Sequence, residues 1–487
     1  MRCFIIRSLY APPKASDSFK CRAKLFARGF WCFLLLLRNR GRGKGCFFFL
    51  FICGVEKNYY LVIDSEPLKR YNHNMNMRIT KAPVGGEVRV PGSKSMAERL
   101  ILAWALSKTE CGVEPNTTAD DVAAMAECAE KIFDAIARKT SILDTPLKVR
   151  ESGAVLRFVM PVLGALGLRA DLIMEGRLPE RPMEALTVQL REHGMVVTRP
   201  ENDRFHVEGQ LFGGIFELPG NQSSQFISGL LMALPLLPDN SELRVIGEIQ
   251  SRPYVDMTLK VLSQCGIEII EEEPGDFYIP GGQEYRLEGD HEVEGDWSAA
   301  AFWLAMGAAA ANGTRLKVTG LRPDSAHGDK EILKILNEMG AEIAWEGTAV
   351  TVTAHDLRAK TIDARNIPDL VPAIAIAAAA ASGKTTIMNA ERLRLKESDR
   401  LHAITEVLRS LGVMVNERPD GLEIFGGYKL HGGRVQSFGD HRIAMMAACL
   451  KVFCEGDIEI EGAGAVTKSY PEFWEDFRSL GGETEEI

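Results

Sequence analysis

A helical stretch, then glycine, then alternating apolar residues recurs along residues 75–487. It occurs as Leu186 to His193, Gly194 and Met195 to Val197, and returns around Gly266, Gly340 and Gly412 at intervals of 72, 74 and 72 residues. A weaker copy ends at Gly481, 69 residues further on. Each copy reads as an amphipathic helix stopped by a left-handed glycine and followed by a strand, so Ile267 to Ile269 is an expected strand. A second series runs in step. Small, very apolar helices begin near Ser95, Gly153, Ser223, Asp296, Asp369 and Asp440. Helices such as Ala299 to Ala310 and Val371 to Ala380 are apolar nearly all round, which predicts burial. Together the two series predict an α+β (α/β) chain of six units of about 70 residues, three per lobe.

The starts of the buried helices carry the chemistry. A helix N-terminus offers free N–H groups and partial positive charge, so it binds anions. Ser95-x-x-Glu98 reads as a capping box that opens the first helix. Lys94 and Arg99 place two cations at that end, against the helix dipole unless an anion is present. Gly153, with Arg157 in the first turn, lets a ligand approach the backbone, and a proline-rigidified loop carries Arg181. Ser223, Ser224 and Gln225 offer hydroxyls and an amide suited either to capping or to polyol and phosphate oxygens. Asp369 stands before an apolar helix as a cap or a general base. Arg392 to Arg400 is a charge run, either solvated or functional, and Arg442 and Lys468 lie in later turns. Two P-loop near-misses fail: Ser93 stands where Gly-Lys-Ser needs glycine, and Ala378 stands at the first glycine position before Gly383-Lys384-Thr385.

Charge changes the picture of the first 74 residues. They hold 14 Lys and Arg against 4 Asp and Glu, with five of the ten cysteines and nine of the 22 phenylalanines. Residues 75–487 hold 43 against 62, so the overall −9 sums a basic segment and an acidic body. The break leads us to expect a disordered or non-native extension, with translation starting at Met75 or Met77; a targeting segment is the alternative. Its apolar runs, Phe30 to Leu37 and Cys46 to Val55, fall short of the ~20 residues that span a bilayer. The body's five cysteines are scattered without a CxxC pair, which argues against a metal site or disulfides and for a reduced, cytoplasmic protein.

In order and spacing these motifs closely resemble the 3-phosphoshikimate 1-carboxyvinyltransferase (EPSP synthase) family of enolpyruvyl transferases. The resemblance covers essentially all of 75–487. It implies a two-lobed fold of six βαβαββ units, with lobe one at 94–295 and lobe two at 75–93 plus 296–487. Helix starts of both lobes would face the cleft between them. It further implies transfer of the enolpyruvyl group of phosphoenolpyruvate to the 5-hydroxyl of shikimate 3-phosphate, through a tetrahedral intermediate, with phosphate released. Neither metal nor organic cofactor, no nucleic acid and no membrane is implied, and a monomer is expected. Carried over by position, Ser95, Arg99, Ser223, Ser224, Ser251, Tyr254, Asp369 and Lys396 resemble shikimate 3-phosphate ligands. Lys94, Gly153, Arg157, Arg181, Gln225, Arg400, Arg442 and Lys468 resemble phosphoenolpyruvate ligands. Asp369 resembles the base, and Lys94 and Glu397 the proton donors.

The chain departs from the family at Glu151-Ser152-Gly153-Ala154, where Asn-Ala-Gly-Thr is frequent, and at Arg392, where Asn is common. Gly153 is retained, so space for the phosphonate inhibitor glyphosate is expected. The sister enzyme, UDP-N-acetylglucosamine enolpyruvyltransferase, is a rival reading. It usually carries a cysteine in the loop matching Glu175 to Pro182, where this chain has none, and Lys-Asn where this chain has Lys94-Ser95. A non-catalytic anion-binding protein on the same scaffold is the second rival; loss of Lys94, Asp369 or Glu397 would favour it, and all three are present.

Overall fold

The computed structural model describes residues 75–487 and, of the first 74, the backbones of Cys32–Arg38, Cys46–Ile52 and Tyr60–Leu61. The expected status of residues 1–74 otherwise lies outside the described residues. The buried apolar side chains form two cores. One is built from Met96 to Val293; the other joins Met75 to Val90 with Trp297 to Leu480.

Six buried helices span Lys94–Leu106, Gly153–Ala165, Ser224–Ala233, Trp297–Ala308, Val371–Ala380 and His441–Cys449. Amphipathic partners span Asp120–Arg138, Glu184–Glu192, Arg252–Gln264, Ile332–Met339, Arg400–Ser410 and Phe473–Ser479. Gly194, Gly266, Gly340, Gly412 and Gly481 all take left-handed backbone after their helices, as expected. The first unit lacks that glycine. Lys139, at φ 53°, ends the Asp120–Arg138 helix instead, so a search for periodic glycines passes over this copy. The strand expected right after Gly266 is displaced to Ile270–Glu273. The Glu268 N–H donates to the Gln283 side chain at 2.8 Å, and this delays sheet pairing.

The five four-stranded sheets share one design, a parallel pair followed by antiparallel strands. Leu147–Arg150 runs parallel to Ala170–Met174, which pairs antiparallel with Arg204–Gly209 and through it with Met195–Glu201. The chain begins in one lobe, since Met77–Lys81 completes the sheet of Ile458–Glu461 and Gly86–Arg89 completes that of Arg315–Thr319. It then crosses to the other lobe and returns. The two crossings pair with each other: the Ser93 N–H donates to the Glu294 carbonyl at 2.7 Å and the Asp296 N–H to the Pro91 carbonyl at 2.8 Å. Gly92 and Gly295 face each other there as an antiparallel bridge. A Cβ on Gly92 would sit 1.9 Å from the Pro115 carbonyl oxygen, so only glycine fits the crossing. No helix among the described residues is long and apolar enough to cross a membrane.

Candidate active site

Helix starts from both lobes border one cavity of about 410 Å³. Ser93 caps the Lys94–Leu106 helix by accepting from the Met96 N–H at 3.4 Å. The capping box expected at Ser95 and Glu98 does not form. Asp296 Oδ2 accepts the Lys94 N–H at 3.2 Å, so the first turn is already served and the Ser95 side chain lines the cavity. Glu98 is buried and accepts instead from the Ser152 hydroxyl at 3.0 Å. Ser152 and Ser223 cap the second and third helices, which places Gly153, Ser224 and Gln225 at the cavity wall. Of the six expected starts only that of Trp297–Ala308 stays off the cavity; its cap, Asp296, serves the crossing.

Every expected site residue lines the cavity except Lys468. The Lys468 ammonium is turned to Glu151 in the other lobe, 3.1 Å from its carboxylate and 3.3 Å from its carbonyl. The lining holds eight Lys and Arg side chains, Lys94, Arg99, Arg157, Arg181, Arg392, Lys396, Arg400 and Arg442, against the five acids Glu98, Asp121, Asp369, Glu391 and Glu397. An acidic chain thus gathers a cationic excess around one cavity, where charges partly removed from water attract anions more strongly.

Asp369 sits in the 3₁₀ turn Pro368–Leu370 and caps no helix. Its Oδ1 accepts from Arg400 at 2.8 Å and lies 3.3 Å from Lys396 Nζ; its Oδ2 faces Arg442 at 3.4 Å and the Tyr254 hydroxyl at 3.5 Å. Burial opposes its charge, but Arg442, Lys396 and Arg400 outweigh burial and hold the carboxyl well below the usual range. Glu397 is likewise held low, since Arg400, at 2.7 Å, with Arg181 and Lys468 outweighs burial. Arg400 itself is 1% exposed and also donates to Asp440 at 2.7 Å, so three carboxylates share one guanidinium. Burial pulls the Lys396 ammonium down to about 8 despite Asp369.

On the opposite wall, burial also opposes the Lys94 charge, but Asp121, at 3.0 Å, with Glu98 and Glu397 keeps it protonated. Arg99 donates to neutral oxygens, Thr258 Oγ1 at 2.8 Å and the Ser95 and Tyr254 carbonyls at 2.6 and 2.9 Å, and burial brings it down to about 10. Arg157 donates to Gln225 at 2.6 Å, and a Cβ on Gly153 would lie 3.0 Å from Arg181 and 3.2 Å from Arg157. Two guanidiniums therefore converge on one glycine at a helix start. Burial, only partly offset by Lys94, pushes the Glu98 carboxyl up to about 7. The folded chain then holds that proton more tightly than the unfolded one, so stability falls as pH rises from about 4.5 towards 7. We expect Glu98→Gln to raise the melting temperature relative to the parent progressively over that range; a difference independent of pH would refute the assignment.

The lining residues that the sequence does not assign to the site include Asp121, Glu98, His441 and Arg392. His441 lies in the quoted Phe438-Gly439-Asp440-His441-Arg442 stretch, and burial, Lys94 and Arg442 keep it neutral. Asp121 has only the local signal of a doubled acid, Asp120-Asp121, at a helix start.

Comparison with known proteins agrees with this geometry. Residues 79–477 match the family described as EPSP synthase (3-phosphoshikimate 1-carboxyvinyltransferase). The 3-phosphoshikimate 1-carboxyvinyltransferase of Clostridium kluyveri is 38% identical over 421 residues, covering 84% of this chain and 98% of its own, and that of Clostridioides difficile is 35% identical over 434 residues, with the same coverage. In fold the chain is similar to the EPSP synthase of Acinetobacter baumannii, with a TM-score of 0.71 at 23% identity, covering 84% of this chain and all of that one. The enolpyruvyl transferase NikO of Streptomyces tendae superposes with a TM-score of 0.69 at 18% identity, over 85% of this chain and 99% of its own. With matched motifs, fold and a cationic cleft in agreement, the chain belongs to the EPSP synthase family of enolpyruvyl transferases.

Proposed function

We propose that the protein transfers the enolpyruvyl group of phosphoenolpyruvate to the 5-hydroxyl of shikimate 3-phosphate and releases phosphate, in aromatic amino acid biosynthesis. The observation that carries this reading is the cavity's cationic excess, matched to two phosphorylated carboxylates. Lobe one, 94–295, supplies Ser95, Arg99, Ser223, Ser224, Ser251 and Tyr254 to the acceptor, and Asp369 and Lys396 face them from lobe two, 75–93 plus 296–487. Gly153, Arg157, Arg181 and Gln225 meet Lys94, Arg400, Arg442 and Lys468 around phosphoenolpyruvate. Lys468 reaches it only by giving up Glu151.

Asp369 takes the proton from the 5-hydroxyl as its oxygen adds to C2 of phosphoenolpyruvate, and a proton goes to C3. Loss of a C3 proton then expels phosphate from the tetrahedral intermediate and leaves the enol ether. Asp369 is ionised but a weak base, because three cations hold it. Substrate anions that share those cations raise its basicity when they bind. Lys94 is the donor that its carboxylate neighbours already keep protonated, whereas Glu397 becomes one only after anions engage Arg400 and Arg181. The cavity is complete within one chain, which supports a monomer, and we place the enzyme in the cytoplasm.

Phosphate release with phosphoenolpyruvate plus either shikimate 3-phosphate or UDP-N-acetylglucosamine tests the reading. Turnover with the first acceptor alone is expected; no turnover with it would overturn the proposal. Gly153→Ala pushes a methyl against Arg181 and Arg157, so the KM for phosphoenolpyruvate should rise about tenfold, the loss of ~1.4 kcal/mol, with that for the acceptor little changed. Unchanged KM values would show that the guanidiniums yield freely.

A further inference from the structure

Among the expected ligands only Lys468 stands off the cavity, and Glu151 is what holds it there. The Lys468 side chain is 5% exposed, and its ammonium donates to the Glu151 carboxylate at 3.1 Å and to the Glu151 carbonyl at 3.3 Å. It finds no other acceptor among the described residues. Glu151 is one of this chain's departures from its family. The asparagine frequent at that position carries no charge with which to pair.

The Glu151 side chain is placed by its surroundings on both sides. It follows Arg150, which takes left-handed backbone at φ 50°, a conformation rare for a branched or long side chain unless neighbours impose it. They do so here. The Arg150 guanidinium donates to Glu127 at 2.5 Å, the Arg150 carbonyl accepts the Glu175 N–H at 2.8 Å, and the Ser152 N–H closes the turn on the Val149 carbonyl at 3.0 Å. Across this turn lies Gly176, also left-handed at φ 54°, where a Cβ would sit 2.0 Å from Glu151 Oε1. One carboxylate oxygen therefore lies against the loop that carries Arg181, and the other meets Lys468 from the facing lobe. A second bond joins the lobes on the same side, from the Thr118 hydroxyl to Glu472, just beyond Lys468, at 3.2 Å.

The pair is asymmetric. The Glu151 side chain is 39% exposed and can return to water at little cost, whereas the Lys468 ammonium is buried and needs an anion at all times. An exchange of anions satisfies both: Lys468 passes from a carboxylate of the chain to an anionic group of the substrate, and Glu151 swings out to solvent. The Glu151 carbonyl, next to the capping Ser152 and Gly153, already keeps the ammonium beside the helix start where Arg157 and Arg181 converge. Building on the function proposed above, we infer that the Glu151 carboxylate is a built-in competitor for phosphoenolpyruvate. It occupies Lys468 and clasps the two lobes until that substrate displaces it. Glu151 thereby sets the affinity for phosphoenolpyruvate without taking part in the chemical steps.

The test is a double-mutant cycle of the parent, Glu151→Gln, Lys468→Met and the double variant, each checked for folding by circular dichroism. Steady-state kinetics gives KM and kcat, and equilibrium titration with phosphoenolpyruvate gives Kd for any variant that turns over too slowly. Glu151→Gln should lower the KM for phosphoenolpyruvate about threefold to tenfold, the worth of a half-buried ion pair, with kcat and the acceptor KM within about threefold. In the Lys468→Met background the same substitution should change nothing, because the cation under competition is gone. A side chain that only shaped the turn would act alike in both backgrounds. An unchanged or raised KM in Glu151→Gln, or an equal fall with and without Lys468, overturns the inference while leaving the proposed function standing. A parent enzyme that fails to turn over phosphoenolpyruvate with shikimate 3-phosphate removes both.

Discussion

Asp369→Asn should lower kcat by about 10²–10⁴-fold, the range a positioned general base contributes. KM should change much less, and in a direction that a lost structural contact would not produce. Asp369 competes with substrate anions for Arg442, Lys396 and Arg400. Asparagine keeps the shape and the hydrogen-bonding oxygen but removes the charge, so those cations become freer to hold phosphate and carboxylate. Binding of shikimate 3-phosphate in the variant should equal or exceed that of the parent, as read by fluorescence titration beside the turnover assay. Near-normal kcat would rule Asp369 out as the base, and a general loss of binding would make it a positioning group.

Arg400→Gln should have the largest effect on stability. Arg400 is the shared partner of Asp369, Glu397 and Asp440, at 2.8, 2.7 and 2.7 Å. Removing one partner from a buried ionic cluster leaves charge uncompensated and costs about 3–5 kcal/mol. In the parent, Asp369 and Glu397 titrate below their unfolded values, so their contribution is present above the usual carboxylate pKa and lost as pH falls through the folded one. Without Arg400 these carboxyls take up protons at higher pH than in the parent. The deficit should therefore be large at neutral pH and shrink on acidification, once both variant and parent carry neutral carboxyls. Denaturant unfolding at several pH values measures this, and a pH-independent deficit would indicate lost packing rather than stranded charge.

Much of the fold was legible because it is local. A glycine after an amphipathic helix and a polar residue before an apolar one are signals read over a few positions, and most of the copies were found that way. The first amphipathic helix escaped because Lys139 does what glycine does elsewhere. The capping box misled for a related reason: the pattern Ser95-x-x-Glu98 is sufficient locally, but Ser93 is oriented by a strand crossing two hundred residues away in the chain. Which side chains would line the cavity followed from family motifs, while their partners did not. Glu98 meets Ser152 across 54 positions and Lys468 meets Glu151 across 317. Those choices depend on how the lobes close, and no local periodicity encodes that.

The paired crossings between the lobes have a mechanical consequence. A single tether would let the lobes swivel about any axis, whereas two strands joined by hydrogen bonds on both sides of Gly92 and Gly295 form a short ribbon. A ribbon bends across its face more readily than it twists about its length, which restricts opening to one principal direction and returns opposing walls to register on closure. In hydrogen exchange the Ser93 and Asp296 amides should therefore stay protected while the cleft breathes, whereas the Ser251 amide, bonded across the cleft to Arg365, should exchange with each opening. The enzyme can admit two charged substrates without loosening either core, because the motion is confined to a few residues that stay folded throughout.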